Sequence, residues 1–282
     1  MHQAAEAGDE IRLRRLLEEM QKDISKQDEN GLTPLHLAAK KTRLRCCQIL
    51  LDVSHKEINV KDRSGNTPLL LCISNKPGSF ETAKLLISEG ANVNSSNKAK
   101  LTALHTAAER GNLEVLHLLL LQKDIALNSE DSERHTPPHL ASKAGHWKIC
   151  QALLLAGADV AACNVRGLTP LHIAAKMGFS TPRGRSVPPR RQWEHSLALR
   201  TDRRESKHVE LILLMARERS LDVVRLVNVR NEAGMTALHV AIARGERDSC
   251  RALLKAGADA TISCESLGPP ISMASQRGLQ DM

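Results

Sequence analysis

Five histidines recur at regular intervals along this chain, and imidazoles are the side chains most often used to bind metal ions or to move protons near neutral pH. Each follows a threonine by three residues, and the set comprises His36, His105, His139, His172 and His239. Packed helices lie ~10 Å apart, whereas the ligands of one zinc ion lie ~2 Å from it. If each of these histidines belongs to a separate structural unit stacked on the next one, no two of them can bind the same metal ion. The spacing therefore predicts no shared metal site.

Cysteine is the second residue type that could carry chemistry, and the chain has seven. They are Cys46, Cys47, Cys72, Cys150, Cys163, Cys250 and Cys264. Their positions follow the repeat: Cys47, Cys150 and Cys250 each lie 14 residues after a threonine. No Cys-x-x-Cys pair is present. This placement predicts small, buried, reduced thiols in an intracellular protein, in the cytoplasm, the nucleus or both.

The sequence has no recognisable catalytic signature. We find no phosphate-binding loop, no zinc-binding helix motif and no nucleophile elbow, which predicts that the chain is not an enzyme and takes no cofactor. The first residues are charged and mixed rather than arranged as a signal peptide. Because no apolar run approaches the ~20 residues of a membrane helix, we predict no membrane insertion of this segment.

The histidines belong to a longer string that returns along the chain, Thr-Pro-Leu-His or a close variant of it. It starts at Thr33, Thr67, Thr102, Thr136, Thr169 and Thr236. The steps are 34, 35, 34, 33 and 67 residues, the last being about two periods. A period of this length is typical of stacked repeats, in which a binding surface is expected before an active site.

Each unit reads as two short helices and a turn. The hydroxyl of Thr33 can cap a helix, and Pro34 suits the first helical position because an N–H there would be unpaired anyway. In most units a glycine follows nine residues after the threonine, where a helix end favours a left-handed residue. A second helix with apolar residues at helical spacing follows, and polar turn residues lead to the next threonine.

These strings, together with the Ala-Ala-x-x-Gly and Gly-Ala-Asp segments, resemble the ankyrin-repeat family over nearly the whole chain. The resemblance implies an all-α fold, an ankyrin-repeat α-solenoid with short β-hairpin or turn connectors. It implies that the recurrent histidines make structural hydrogen bonds between the loops of adjacent units. It also implies that a partner protein binds to the turn tips and to the exposed side of the first helices.

We divide the chain into a single array over residues 1–282. A partial unit covers 1–29, full units cover 30–63, 64–98, 99–132, 133–165, 166–232 and 233–265, and a second partial unit covers 266–282. The incomplete ends predict a piece of a longer protein. Pro138 replaces the usual leucine of one unit and is expected to lose packing while fitting the first helical turn.

An insertion over residues 181–206 interrupts the unit 166–232. Its seven arginines and three acidic residues carry half of the formal net charge of +8, and its prolines favour a disordered loop. The alternatives are a mis-assigned exon, a nuclear-import or nucleic-acid patch, and a kinase site at Ser206. The whole chain has two Phe, two Trp and no Tyr, and this shortage of stacking side chains argues against nucleic-acid binding.

Candidate partner-binding residues fall into two sets. The first, which we call the basic stripe, is expected along the concave face near the ends of the first helices, and it comprises Lys40, Lys41, Lys76, Arg110, Lys143, Lys176 and Arg244. Such a stripe would attract an acidic protein, although cations also favour helix C-termini on any solvated face. The second set, at the turn tips, comprises Arg63, Asn66, Lys98, Lys100, Glu133, His135, Arg166, Arg230 and Glu232.

The sequence therefore predicts a non-catalytic module for protein–protein interaction, a monomeric adaptor or scaffold. A first alternative is the ankyrin segment of a larger enzyme or ion channel, which the incomplete ends favour. A second alternative is a nucleic-acid or nuclear-import contact through the basic insertion.

Overall fold

The computed structural model describes residues 1–19, 24–177 and 207–278 of the chain. Within those residues the secondary structure is α-helical, with one short 3₁₀ helix, an isolated β-bridge between Cys264 and Gly268, and tight turns, so the predicted all-α repeat fold is confirmed. The chain divides into two units, Met1–Val165 and Arg166–Met282. None of the described helices is long and apolar enough to cross a bilayer. The predicted insertion at 181–206 lies outside the described residues.

The first unit consists of five helix pairs. Their first helices are α1 (His2–Ala7), α3 (Pro34–Lys40), α5 (Pro68–Cys72), α7 (Ala103–Arg110) and α9 (Pro137–Ala144). Their second helices are α2 (Glu10–Glu19), α4 (Leu44–Val53), α6 (Ser79–Ser88), α8 (Leu113–Leu120) and α10 (Trp147–Ala156), with the 3₁₀ helix His55–Glu57 after α4. Each first helix packs against the next first helix, and each second helix against the next second helix. The unit is therefore built from two rows of stacked helices.

The second unit has the same elements in a less regular order. It contains α11 (Pro170–Met177), α12 (Lys207–Glu218), α13 (Val223–Val227), α14 (Ala237–Arg244), α15 (Arg247–Lys255) and α16 (Pro270–Gln276). Helix α14 packs against α11, α15 and α16, and α12 packs against α11 and α15. Helix α12 begins at Lys207, where the described part of the chain resumes.

Thr33 begins α3 as its sequence predicts. The backbone N–H of His36 donates to Thr33 Oγ1 at 3.4 Å, and the backbone N–H of Thr33 donates to His36 Nδ1 at 3.1 Å, so each residue caps the other. The same reciprocal cap begins α7, α9 and α14. Pro34 occupies the first helical position of α3, and Pro138 is buried in the first turn of α9.

Glycines end several of the first helices, also as predicted, and Gly8 does so in α1 with φ of 84°. Gly111, Gly145 and Gly245 close α7, α9 and α14 with φ of 73°, 80° and 76°, a left-handed conformation that favours glycine. Helix α5 differs because it ends at Cys72 after five residues. There Ser79 Oγ donates to the carbonyl oxygen of Cys72 at 2.8 Å. This side chain therefore supplies a hydrogen-bond donor to a carbonyl group that has no partner within the short helix.

Leucine and alanine fill the contacts between neighbouring first helices. Leu35, Leu69 and Leu104 hold the same place in α3, α5 and α7, and each is 1% exposed. Alanines such as Ala38 and Ala107 are fully buried beside them and let the backbones approach closely. Each such leucine contributes about 1.5–3 kcal/mol through burial.

Tight turns connect the pairs and bond to one another. In residues 62–66 the backbone N–H of Asp62 donates to the carbonyl oxygen of Asn66 at 2.9 Å, and Asp62 Oδ1 accepts from Ser64 N at 2.8 Å. The N–H of Arg63 then donates to the carbonyl oxygen of Asn30 in the preceding turn at 2.9 Å. Equivalent bonds run from Lys98 N to Ser64 O, Ser132 N to Ala99 O and Val165 N to Glu133 O in the first unit, and from Glu232 N to Arg166 O in the second.

Candidate functional site

The recurrent histidines lie at the junctions between repeats. His36 Nε2 bonds to the carbonyl oxygen of Asn66 at 3.1 Å, and His105 Nε2 to that of His135 at 2.9 Å. The second unit repeats the arrangement with His172 to Met235 at 3.3 Å and His239 to Gly268 at 3.2 Å. The predicted hydrogen bond between adjacent loops is therefore confirmed at these positions.

Hydrogen bonding fixes the protonation of these imidazoles. At His36 the backbone N–H of Thr33 donates to Nδ1, so the proton lies on Nε2, which donates to the next turn. Burial lowers the pKa of His36, His105 and His239, and it lowers the pKa of His172 to about 4. At His36 one ring nitrogen thus caps its own helix and the other bonds to the next repeat, which leaves neither to bind a metal ion.

The cysteines are free thiols, and all but Cys163 are buried, as predicted from the repeat. Burial raises the pKa of Cys47 and of Cys150 to about 12, so their reactive thiolate forms are essentially unpopulated at neutral pH. Cys163 departs from the prediction because it is only half-buried, with Sγ 3.5 Å from the carbonyl oxygen of Ala161. In the part of the chain that the structure describes, no cluster of His, Cys, Asp and Glu is arranged to hold a metal ion.

The basic stripe of the first unit is exposed near the ends of its first helices, although Arg110 lies one residue later in its repeat than Lys40 and Lys143 do, and Glu109 takes the matching place. Lys40, Arg110 and Lys143 lie in the last turns of α3, α7 and α9. Because α7 packs against α9, Arg110 and Lys143 lie on neighbouring helices. Lys41 is exposed as well, but its Nζ lies 3.2 Å from Glu6 Oε1, which neutralises part of its charge within the unit.

Lys76 does not occupy the helix end at which the sequence placed it. Helix α5 stops four residues earlier, at Cys72, so Lys76 is an exposed loop residue. Its neighbour Asn75 donates from Nδ2 to the carbonyl oxygen of Arg110 at 2.6 Å. This bond places the loop that carries Lys76 beside the end of α7, so the lysine remains near the stripe without being part of a helix.

In the second unit, Lys176 and Arg244 are the stripe residues. Both are exposed in the last turns of α11 and α14, and these two helices pack against each other. The second unit therefore also carries an exposed cation in the last turn of each of these two first helices.

Most turn-tip candidates are exposed, namely Arg63, Lys98, Lys100, Glu133, Arg166, Arg230 and Glu232. Asn66 is half-buried, and it links turns: its Nδ2 donates to Asp62 Oδ2 at 3.1 Å, and its Oδ1 accepts from Asn97 Nδ2 at 3.0 Å. Its carboxamide is thus used inside the protein, whereas the charged tips face solvent.

His135 is not the exposed turn residue that the sequence predicted, since it is 8% exposed. Asn164 Nδ2 donates to its Nε2 at 3.1 Å, which leaves Nδ1–H to face Asp131 Oδ2 at 3.2 Å. Its ring meets His139 edge-on, with centroids 5.8 Å apart. Partners in its own turn and in the next one draw the imidazole inward, and we therefore omit it from the binding surface.

Two features were missed at the sequence level. The first is a shallow groove beside the stripe, in which Trp147, the first residue of α10, is 36% exposed and the ring of His146 covers Gly111. The available signal was Trp147 itself, one of two tryptophans in the chain.

The second is a set of asparagines that bond to the next repeat. Asn94 Nδ2 donates to the carbonyl oxygen of Asp124 at 2.6 Å, and Asn94 Oδ1 accepts from Ala126 N at 2.9 Å. Asn59 and Asn228 make the corresponding pair of bonds. Their signal in the sequence was the repeat spacing of 35 residues between Asn59 and Asn94.

Family models describe the same repeats. The model for ankyrin repeats in three copies matches residues 1–97, 75–164 and 104–181, and the model for a single ankyrin repeat matches residues 233–264. Together these matches cover well over half of the chain.

Curated relatives include two human proteins. The chain is 27% identical over 238 residues to human transient receptor potential cation channel subfamily A member 1, which covers 84% of this chain and 19% of that protein. It is 36% identical over 156 residues to human ankyrin repeat and SOCS box protein 16, which covers 52% of this chain and 34% of that protein. The chain thus spans about a fifth to a third of the length of these relatives.

Among solved structures, the crystal structure of the human ASB11 ankyrin repeat domain matches with a TM-score of 0.68 over 92% of this chain and 97% of that one. At 22% identity this likeness concerns the fold. With the family matches, the stacked helix pairs and the histidine-linked turns all in agreement, the chain belongs to the ankyrin-repeat family.

Proposed function

We propose that this chain is a non-catalytic interaction module, an adaptor or scaffold that binds an acidic protein segment through its first-helix face and turn tips. The observation that carries the proposal is the exposure of Lys40, Arg110 and Lys143 in the last turns of three first helices. A partner that runs across these helices would meet a cation on each of them.

Electrostatics determine what such a surface can do. An isolated exposed ion pair contributes at most ~1 kcal/mol, so affinity must come from several contacts made together. Cations that are regularly spaced on a rigid face raise the association rate for an acidic partner and orient it. Because exposed charges are screened by salt, binding should weaken as ionic strength increases.

Charge reversal on the stripe tests this function. The variant carries Lys40→Glu and Lys143→Glu, and its partners are compared with those of the native chain by affinity capture, mass spectrometry and titration of the purified partner. We expect the dissociation constant to rise at least about tenfold, since a like-charge contact replaces each attraction.

The matched control carries Lys84→Glu and Lys123→Glu, which change the net charge by the same amount as the stripe variant. Both control lysines are exposed outside the stripe, Lys84 in the second helix α6 and Lys123 after the second helix α8. This control should bind as the native chain does. If the purified partner binds the stripe variant and the control with equal affinity, the proposed surface is wrong.

A second candidate is the ankyrin segment of a larger channel. The observation that favours it is the match to a cation channel subunit that covers 84% of this chain but 19% of the relative. Mapping the full transcript decides the matter. An open reading frame that continues into membrane-spanning segments supports this candidate, and stop codons in frame on both sides of residues 1–282 refute it.

We also infer a monomer that resides in the cytoplasm or nucleus. All seven cysteines are free thiols, which fits a reducing compartment. Light scattering should give a single species of 30.9 kDa, and twice that mass would refute the monomer. Fractionation of cells that express a tagged chain tests the compartment, and recovery from the medium would exclude it.

A further inference from the structure

A groove lies where α7 and α9 end and where α8 and α10 begin. It is lined by Gly111, Leu113, His146, Trp147, Lys148 and Ile149. Its volume is about 190 Å³, below the ~300–1,000 Å³ of typical small-molecule sites. The groove is therefore of a size to receive one side chain of a partner rather than a cofactor.

The floor of the groove depends on a glycine. A Cβ atom on Gly111 would lie 2.7 Å from Cε1 and 2.8 Å from Nε2 of His146, so the imidazole rests directly on the glycine backbone. Gly111 also has φ of 73°, which keeps larger residues from this place. The close contact fixes His146, and with it the start of α10, against the preceding repeat.

Trp147 supplies the apolar wall. Its side chain is 36% exposed, although a tryptophan is large enough to contribute strongly to a core when covered. Lys148 Nζ lies 5.6 Å from the ring centroid of Trp147, within the range of a cation–π contact. An exposed tryptophan beside a cation is typical of the residues that dominate binding energy at protein interfaces.

Charged residues lie in and beside the groove, and more of them are positive than negative. Lys148 is part of its lining. Arg110 directly precedes Gly111, which ends α7, and Lys143 lies two residues before Gly145, which ends α9. Glu109, which precedes Arg110, and Glu114, which follows Leu113, are exposed and oppose part of this charge. Three cations against two nearby carboxylates leave a net positive charge, which favours an acidic occupant.

We propose that this groove is the anchor subsite for the partner, and that it takes one aromatic or aliphatic side chain from an acidic peptide segment. The side chain lies against Trp147, and carboxylates on either side of it reach Lys143 and Lys148. The inference rests on the proposed function and adds which chemical group the surface holds. A small apolar molecule or a second copy of the chain is the competing occupant.

Synthetic peptides test the groove without knowledge of the natural partner. The probe is an acetylated and amidated heptapeptide with phenylalanine between two runs of three acidic residues. One comparison peptide has alanine in place of phenylalanine, and another has lysines in place of the acidic residues. The readout is the indole N–H resonance of Trp147 in the ¹⁵N-labelled chain, assigned with the Trp193→Phe variant.

We expect a saturable shift of this resonance with the probe, binding about tenfold weaker or more with the alanine peptide, and no shift with the lysine peptide. Lys148→Glu should weaken binding of the probe, whereas the matched control Lys123→Glu should not. Trp147→Ser, checked for folding by circular dichroism and followed through the backbone amide resonance of Lys148 because its indole is gone, should abolish binding of the probe. Equal binding of the phenylalanine and alanine peptides overturns the proposal, as does a shift that follows the concentration of the protein instead of the peptide.

The two proposals fail separately. A natural partner that loses affinity on stripe reversal but binds Trp147→Ser like the native chain refutes the groove and leaves the proposed function standing. A stripe reversal without effect refutes the proposed function, and the peptide titration still decides whether the groove binds an acidic segment with an apolar anchor.

Discussion

His105 Nε2 lies 2.9 Å from the carbonyl oxygen of His135, and this bond ties the first helix of one repeat to the turn of the next. Both side chains are buried, so water cannot replace the bond if it is lost. At its other nitrogen, the His105 ring accepts the backbone N–H of Thr102 at 3.2 Å. A single side chain therefore fixes the start of its own helix and the position of the following turn.

His105→Ala should destabilise the chain by about 2–4 kcal/mol, because it leaves a buried N–H and a buried carbonyl without partners. Urea denaturation followed by circular dichroism measures this change. His117→Ala is the control, since His117 is exposed on α8 and its loss should change stability by less than ~0.5 kcal/mol. Equal losses in the two variants would show that the junction bond contributes nothing.

Acidification should weaken the fold through the same histidines. Burial holds the folded-state pKa of His172 at about 4, below the 6.5 of an exposed imidazole, and lowers that of His36, His105 and His239. Between pH ~6.5 and pH ~4 the unfolded chain therefore binds more protons than the folded chain does. Stability is complete above pH ~6.5 and falls as the pH decreases towards 4, by up to ~1.4 kcal/mol per histidine per pH unit.

Urea midpoints at pH 7 and pH 5 measure this dependence, and carboxylates stay largely ionised over that range. His172→Gln removes one titrating group and should make the decline with pH shallower. A stability that stays constant or increases between pH 7 and pH 5 would contradict the assignment of neutral, buried imidazoles.

Substitution of two glycines should distinguish the free-energy cost of backbone strain from the cost of a steric clash. Gly111 and Gly245 close equivalent helices with φ of 73° and 76°, but a Cβ would meet His146 at Gly111 and no atom within 4 Å at Gly245. Gly245→Ala should cost about 1–2 kcal/mol from the left-handed conformation alone. Gly111→Ala should cost more, because the His146 ring must also move.

A double-mutant cycle isolates the steric part of this difference. If the ring is responsible, His146→Ala should remove most of the extra cost of Gly111→Ala, giving a coupling energy of about 1 kcal/mol or more. Additive losses would place the cost elsewhere in the turn.

Residues that repeat with the period were predictable, because a single local rule applies at each copy. Thr33 caps its helix and Gly111 ends its helix as the sequence implied, since both roles depend on short-range backbone geometry. His135 and Lys76 were misplaced because their positions depend on neighbours distant in the sequence. Asn164 draws His135 inward from 29 residues away, and Asn112 Nδ2, bonded to the carbonyl oxygen of Ser74 at 2.6 Å, holds the loop that replaces the end of α5.

The groove was not predictable for a related reason. Its walls come from Leu113 and Trp147, which the stacking of two repeats brings together across about one period of sequence. The exposed tryptophan was visible in composition, but a single residue does not indicate which backbone it lies against. Cavities between repeats depend on the fit of both neighbours, and this fit is encoded in side-chain shape rather than in the repeated string.

Asn94 offers a local test of how repeats are coupled. Its carboxamide donates to the carbonyl oxygen of Asp124 and accepts from the N–H of Ala126, so Asn94→Ala removes both bonds. We expect a loss of about 1–2 kcal/mol in global stability. We also expect faster hydrogen exchange at the Ala126 amide, because its acceptor has gone.

Asn94→Asp separates the two bonds. The carboxylate keeps an oxygen for Ala126 N–H but places a second acceptor against the carbonyl oxygen of Asp124 and brings its charge near that residue. Protection of the Ala126 amide should therefore survive in Asn94→Asp and disappear in Asn94→Ala, although both variants lose stability. If the Ala126 amide exchanges at the native rate in Asn94→Ala, the asparagine does not couple these repeats. Equal deprotection in both variants would instead mean that the Asp124 bond alone holds the next turn in place.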